Sequence, residues 1–245
     1  MLVEAGGRPL LRTVDSLLRQ RVQPASVALV KSSRFPNPPL VESAAERLSA
    51  IVLDGGPYPG VSLNAAIRSG SGRSIVVLRA GLILDATWLE HCEVAFDSDD
   101  RLCAIAPAIA LRSSDGAGEL IWMPDVQSVA SILSDTRSVP PVFAVLRQAW
   151  NALTGFDEGL EGMVEYAFWL RLVNEGLTVR ILSEPLVTRE LDDRSVSSAE
   201  EDAWRLQLFG SILARYSNLV EREMLPLLVA REVRFGRLRE IHEAL

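Results

Sequence analysis

The stretch from Gly60 to Glu90, GVSLNAAIRSGSGRSIVVLRAGLILDATWLE, decides how the rest of the chain is read. Ser62 to Arg68 carries a short helical pattern, Ser69 to Gly72 is a turn rich in Gly and Ser, and Ile75 to Leu78 is an unbroken apolar run. Four irregular residues, Arg79 to Leu82, then lead to a second helix start. An apolar run of this length between turn signals predicts a buried parallel strand, because helices covering both faces of a sheet remove the need for polar alternation. In open α/β sheets ligands sit just beyond the carboxyl ends of such strands. A site is therefore expected at Arg79 to Leu82.

Working outward, Pro9 suits the first turn of a helix in which Leu11, Val14, Leu17 and Leu18 fall on one face. Ser26 to Val30 reads as a strand, followed by Lys31, Ser32, Ser33 and Arg34 and a proline-rich loop from Phe35 to Pro39. A helix over Val41 to Leu48 and a strand over Ala50 to Leu53 complete the approach to the central stretch. This alternation of strand and helix predicts a mostly parallel sheet with right-handed crossovers. Beyond the centre, Thr87 to Phe96 reads as a helix, Leu102 to Leu111 as a strand and Glu119 to Met123 as its hairpin partner, with a loop or short helix from Pro124 to Ser138. Asp97 to Arg101, DSDDR, gathers three carboxylates; a helix-to-strand turn accounts for them, since Asp and Ser bond their own backbone there, and a metal site is the alternative.

The 245 residues suffice for one large α/β domain with a helical appendage. A net charge of −7 argues against a general nucleic-acid binder, which needs a basic face. No apolar run approaches the ~18 residues of a membrane span, and no basic start with an apolar core suggests a leader, so the expected location is the cytoplasm. Cys92 and Cys103 cannot make a zinc site or a disulfide framework by themselves and read as core or half-buried thiols; His91 and His242 lie far apart in the sequence, each as an ordinary surface or helix-end residue.

From Val139 to Leu191 a second block follows: a strand, an Arg-containing helix start, Gly155-Phe156-Asp157-Glu158, an acidic residue before Trp169-Leu170-Arg171-Leu172, a turn at Gly176 and a final strand. Together with Asn64, Gly72, Leu78, Trp88 and Leu89 of the central stretch, this block resembles the family-2 glycosyltransferases of the GT-A fold, in order and at the family's spacing, over residues 1 to 191. The helix LLRTVDSLLRQ is similar to the family's first helix, with the strand before it cut short at Met1; by comparison with the family the chain begins late or is a segment of a longer protein. The resemblance implies a Rossmann-like α/β fold, a nucleotide-sugar donor linked to UDP, GDP or TDP, and an acceptor hydroxyl. It also implies a divalent cation held by an Asp-x-Asp motif. At that place this chain has Arg79, Ala80 and Gly81, which offer no carboxylate to a hard cation. No metal is therefore expected, and Arg79 is a fixed guanidinium with a fork suited to phosphate.

Family enzymes that invert the anomeric centre use the Asp of a Glu-Asp pair as general base; counting back from Trp169 the pair falls on Val164 and Glu165, so Glu165, one methylene longer than Asp, is the candidate base, with Glu161 as a second. The plainer reading of Glu165 is a carboxylate favoured by the dipole at a helix start. Asn64 belongs to the donor motif. Lys31 and Arg34 stand where the family has acids that meet the nucleobase and ribose; they suit phosphate, and equally a solvated strand end. Arg171 is expected to be structural, pairing with a carboxylate beneath the site. From Ser195 the chain changes character: residues 192 to 245 read as a helical extension, with a capping box at Ser198 and Glu201, a helix from Ala199 to Tyr216, and Arg231, Arg234, Arg237 and Arg239 near the end. That extension is the expected place for a protein partner or self-association. Two functions remain open: hexose transfer without metal, or a non-catalytic domain on the same scaffold.

Overall fold

The computed structural model describes residues 1–3, 7–31, 38–113, 118–191 and 199–223. Arg34, the Ser198 cap and the terminal arginines lie outside them. Helix α1 (Arg8–Leu18) opens with Pro9 in its first turn and buries Leu10, Val14 and Leu17. The buried face is turned slightly from the expected one: Leu10 replaces Leu11, and Leu18 is exposed. With α2 (Pro38–Leu48), α1 closes a small apolar cluster over a parallel sheet of β1 (Leu2–Val3), β2 (Ala28–Lys31) and β3 (Ile51–Asp54).

Helix α3 (Pro59–Ser69) then leads to a second sheet, built from β4 (Ser74–Leu78), β5 (Leu82–Leu84), β6 (Leu102–Ser113), β7 (Glu119–Trp122), β8 (Val142–Leu146) and β9 (Thr178–Leu191). Its order is β4-β8-β6-β9-β5, with β7 hairpinned onto β6. Here the expected parallel sheet needs correction. β6 and β9 run parallel, but β4 with β8, β8 with β6, and β9 with β5 are antiparallel. The α/β class holds, with a mixed sheet. An apolar run reports burial on two faces, which β8 satisfies at all five positions while running against both neighbours; strand direction leaves no mark on such a run.

Side chains of this sheet alternate faces with the period of two that a pleat imposes. Ile75 and Val77 of β4, Phe143 and Val145 of β8, and Ala104 and Ala106 of β6 enter one cluster, together with α3 and α7 (Val164–Asn174). Leu78, Val142, Ala144 and Ile105 enter the other, under α4 (Trp88–Ser98). Helix α5 (Val129–Ser134), capped by Ser128, and α6 (Arg147–Ala152) flank β8 in sequence. Helix α8 (Ala199–Arg215) and the helical turns over 217–223 are built into the first cluster through Ile212 and Leu219, and Phe209 packs edge-on against Tyr166 at 5.7 Å.

Candidate functional site at the carboxyl end of strand β4

The backbone that carries Arg79 is pinned from below by α1. The buried Thr13 hydroxyl donates to the carbonyl of Leu82 at 2.7 Å and accepts the N–H of Gly81 at 2.9 Å. Gly81 sits at φ +102°, a conformation that side-chain-bearing residues rarely adopt. Gln20 does the same for the next element: its amide donates to Asp85 C=O and accepts the N–H of Leu89, fixing the start of α4. The first helix thus holds the loop after β4 by side-chain bonds at both ends.

Beside Arg79 lies Glu165, in the first turn of α7, its side chain 5% exposed. Arg79 meets it fork to fork: Nε donates to Oε1 at 3.1 Å and an Nη to Oε2 at 3.0 Å. The Arg79 side chain is 37% exposed. Bidentate geometry makes this a strong charge-assisted contact. The two residues singled out from separate blocks of sequence, 86 positions apart, are therefore one unit. Glu161 is exposed in the loop before α7 and is not the acid bonded to Arg79.

Asn64 is fully buried, and its amide is occupied by the Gly-Phe-Asp-Glu loop: it donates to Phe156 C=O and to Glu158 at 2.9 Å each and accepts the Phe156 N–H at 2.8 Å. This makes Asn64 a clamp between the two sequence blocks. Gly155, at φ +79°, lies where a Cβ would come within 2.6 Å of the Asn64 oxygen, so the clamp requires glycine there. Asn64→Ala strands the two Phe156 backbone groups and is expected to cost about 2 kcal/mol, read as a lowered urea midpoint with an unchanged slope.

Arg171 departs from expectation in its partner. It donates to the carbonyls of Leu153 and Gly155 at 2.8 and 2.6 Å and meets no carboxylate there. Leu153 caps α6 and Gly155 lies in the turn after it, where carbonyls without a helical partner are acceptors for a nearby cation. Lys31 lies at the end of β2, as expected, with its Nζ 2.7 Å from the carboxylate of Asp54, at the end of β3. Two of the three carboxylates of DSDDR are turned onto arginines: Asp97 pairs with Arg73, and Asp99 with Arg180 at 2.7 Å. Among the described residues no group of three or more His, Cys, Asp or Glu could hold a metal ion.

The loop that leads into α7 is fixed by α8. Asp157 accepts from Arg215 and from the Tyr216 hydroxyl, while its other oxygen takes the Gly159 N–H. Leu208 packs so closely on Gly162 that a Cβ there would lie 2.5 Å from it. Burial works against the Asp157 anion, but the three donors outweigh it and hold its carboxyl below the usual range. Because the folded value is depressed, this stabilisation is present above about pH 4 and disappears as the pH falls through the folded value. Acid titration is therefore expected to loosen α8 first, followed by the fluorescence of Trp204, and Asp157→Asn should abolish that acid step.

Two further arginines bear on the charge around Arg79. Arg189 of β9 is in register with Leu82 of β5, three residues after Arg79. Arg137 lies in the turn after α5, where its N–H bonds Asp135 Oδ1. The guanidinium of Arg189 is held below its ordinary value, first by desolvation and then by the like charges of Arg79 and Arg137, although the residue as a whole remains exposed.

No family model matches the sequence, and no curated protein is detectably similar to it. Solved structures are similar in fold. Residues 1–349 of TarS from S. aureus, in complex with UDP, superpose with a TM-score of 0.61 at 12% identity, covering 91% of this chain and 69% of that one. The mannosyltransferase PcManGT from Pyrobaculum calidifontis, in complex with GDP-Man and Mn2+, gives 0.57 at 14% identity over 94% of this chain and 79% of its own. GalNAc-T7, with UDP, GalNAc and Mn2+, gives 0.59 at 14% identity over 87% and 46%. All three are GT-A glycosyltransferases, and the chain described here has the GT-A fold.

Proposed function

We propose that this chain binds a nucleotide-linked sugar, with UDP, GDP or TDP as the nucleotide, and passes its hexose to an acceptor hydroxyl without a divalent cation. The observation that carries the reading is the contact between Arg79 and Glu165. Two carboxylates facing each other across a donor site need a cation between them to relieve their repulsion. A guanidinium in place of one of them neutralises the other directly. The residues at the metal position, Arg79, Ala80 and Gly81, do not fit a cation, and no step is assigned to one.

Glu165 takes the proton of the acceptor hydroxyl, and the hydroxyl oxygen forms its bond to the anomeric carbon. The bond from that carbon to the diphosphate oxygen breaks, and the leaving diphosphate keeps the electron pair and carries its charge onto Arg79. Donor binding and base release are then one event, since the diphosphate and Glu165 compete for the same fork. UDP in the TarS complex and GDP-Man in the PcManGT complex support a nucleotide-sugar ligand. The free thiols of Cys92 and Cys103 suit a reducing compartment, and we place the protein in the cytoplasm. No helix among the described residues is long and apolar enough to cross a membrane.

A second reading, a non-catalytic binding or assembly domain, is favoured by the same contact if the fork never opens, because both oxygens of the would-be base are engaged. Release of nucleotide from UDP-, GDP- and TDP-hexoses in EDTA separates the two. The transferase reading expects turnover that survives EDTA; nucleotide-sugar binding without turnover identifies the non-catalytic domain.

A further inference from the structure

We infer that Thr13 of α1 is the positioning residue for Arg79, setting its guanidinium against Glu165 through the backbone of the turn that follows. The inference rests on the nucleotide-sugar reading of the Arg79 site and adds to it a residue whose side chain bonds neither Arg79 nor Glu165. Strand β4 ends at Leu78 and β5 begins at Leu82, so Arg79, Ala80 and Gly81 make the whole turn between them. A turn this short has no slack, and a shift at Gly81 is carried to the backbone of Arg79. Ala80 packs against the apolar cluster to which α1 gives Leu10 and Val14. Thr13 is fully buried beneath the exit of the turn. Its oxygen accepts the Gly81 N–H at 2.9 Å, and its one hydrogen goes to the Leu82 carbonyl at 2.7 Å in preference to the Pro9 carbonyl at 3.2 Å.

Glu165 belongs to a different element. It lies in the first turn of α7, with Val164 and Tyr166 buried on either side, and is not free to follow a displaced guanidinium. A bidentate contact tolerates displacement poorly, because two parallel bonds must be kept at once. At a reacting centre a misplacement of about 1 Å costs on the order of a hundredfold in rate. Gln20 supplies an internal comparison. It ties the same helix to the same segment by bonds of the same kind, but at Asp85 and Leu89, beyond β5. Its loss loosens the contact between α1 and that segment without bearing on the turn at Arg79.

The test is a double-mutant cycle of Arg79→Gln and Glu165→Gln, read by urea unfolding of the full chain, in wild type and in the Thr13→Val, Thr13→Ser and Gln20→Met backgrounds. Calorimetric titration with UDP, GDP and TDP in EDTA accompanies it. Valine keeps the shape of threonine and lacks the hydroxyl; Thr13→Ala removes the same hydroxyl and stands in should Thr13→Val not fold. The expected result in Thr13→Val is a coupling between Arg79 and Glu165 reduced by roughly half, as when a fork becomes a single bond. Nucleoside diphosphate affinity falls about tenfold with it. Thr13→Ser retains both, and Gln20→Met lowers the urea midpoint while retaining both. Full coupling in Thr13→Val, with wild-type nucleotide affinity, overturns the inference and leaves the nucleotide-sugar reading intact. An equal loss of coupling in Gln20→Met or Thr13→Ser also overturns it, by tracing the effect to general loosening or to the methyl group. Coupling weakened in Thr13→Val alone, with no binding of UDP, GDP or TDP to wild type, keeps Thr13 as the positioning residue and overturns that reading.

Discussion

Glu165→Gln is expected to tighten the binding of UDP or another accepted nucleoside diphosphate by about tenfold while reducing transfer by a factor on the order of 10²–10⁴. The two effects have opposite signs because one carboxylate serves two purposes. In the resting protein it holds the Arg79 fork by two charge-assisted bonds; in the reaction it must take a proton. Glutamine keeps the shape and one acceptor but removes the charge, so the guanidinium meets an incoming diphosphate without first giving up an anion. An amide cannot act as the base. Titration in EDTA together with a coupled transfer assay reads both. If affinity stays at the wild-type level while transfer falls, Glu165 acts as a base but does not compete for Arg79. A purely structural Glu165 predicts no gain in affinity at all.

Removing the other partner reverses the pattern. Arg79→Gln leaves a 5% exposed carboxylate without its cation. Breaking a buried pair from one side costs roughly 3–5 kcal/mol, and the half-exposed guanidinium puts this one near 3, or about 6–12 °C in melting temperature for a chain of this size. Nucleoside diphosphate binding in EDTA should fall at least a hundredfold. Lost stability alone would produce a spurious loss of binding, and the double variant Arg79→Gln/Glu165→Gln removes that ambiguity. It has no unpaired buried charge, so its melting temperature should recover most of the loss, while diphosphate binding stays weak. Recovery of both would make the pair a structural strut only. Arg79→Lys keeps the charge and loses the fork, and should fall between wild type and Arg79→Gln in binding.

Much of this architecture could be read from residue order because burial and helical period leave plain marks. The run Ile75 to Leu78 became β4, Pro9 opened α1, and the block around Trp169 became α7, with Glu165 in its first turn. Arg79 and Glu165 were each identified from their own block. What residue order does not contain is pairing across space. The direction of β8, the clamp of Asn64 on Phe156 and the attachment of Arg171 to carbonyls all arise from strand register and from loops. Asn64 carries the sharpest lesson. Its side chain holds the loop of the second block, which is a physical reason for the two blocks to occur together.

The central claim is that a guanidinium does here what a cation does in metal-bearing members of the fold. Titration of the wild-type chain with UDP, GDP and TDP, first in EDTA and then in manganese, tests it most directly. The account predicts that at least one of the three binds in EDTA and that manganese leaves its affinity within about threefold, a difference below 1 kcal/mol. Binding that appears only with manganese, or strengthens by more than tenfold on adding it, would contradict the account.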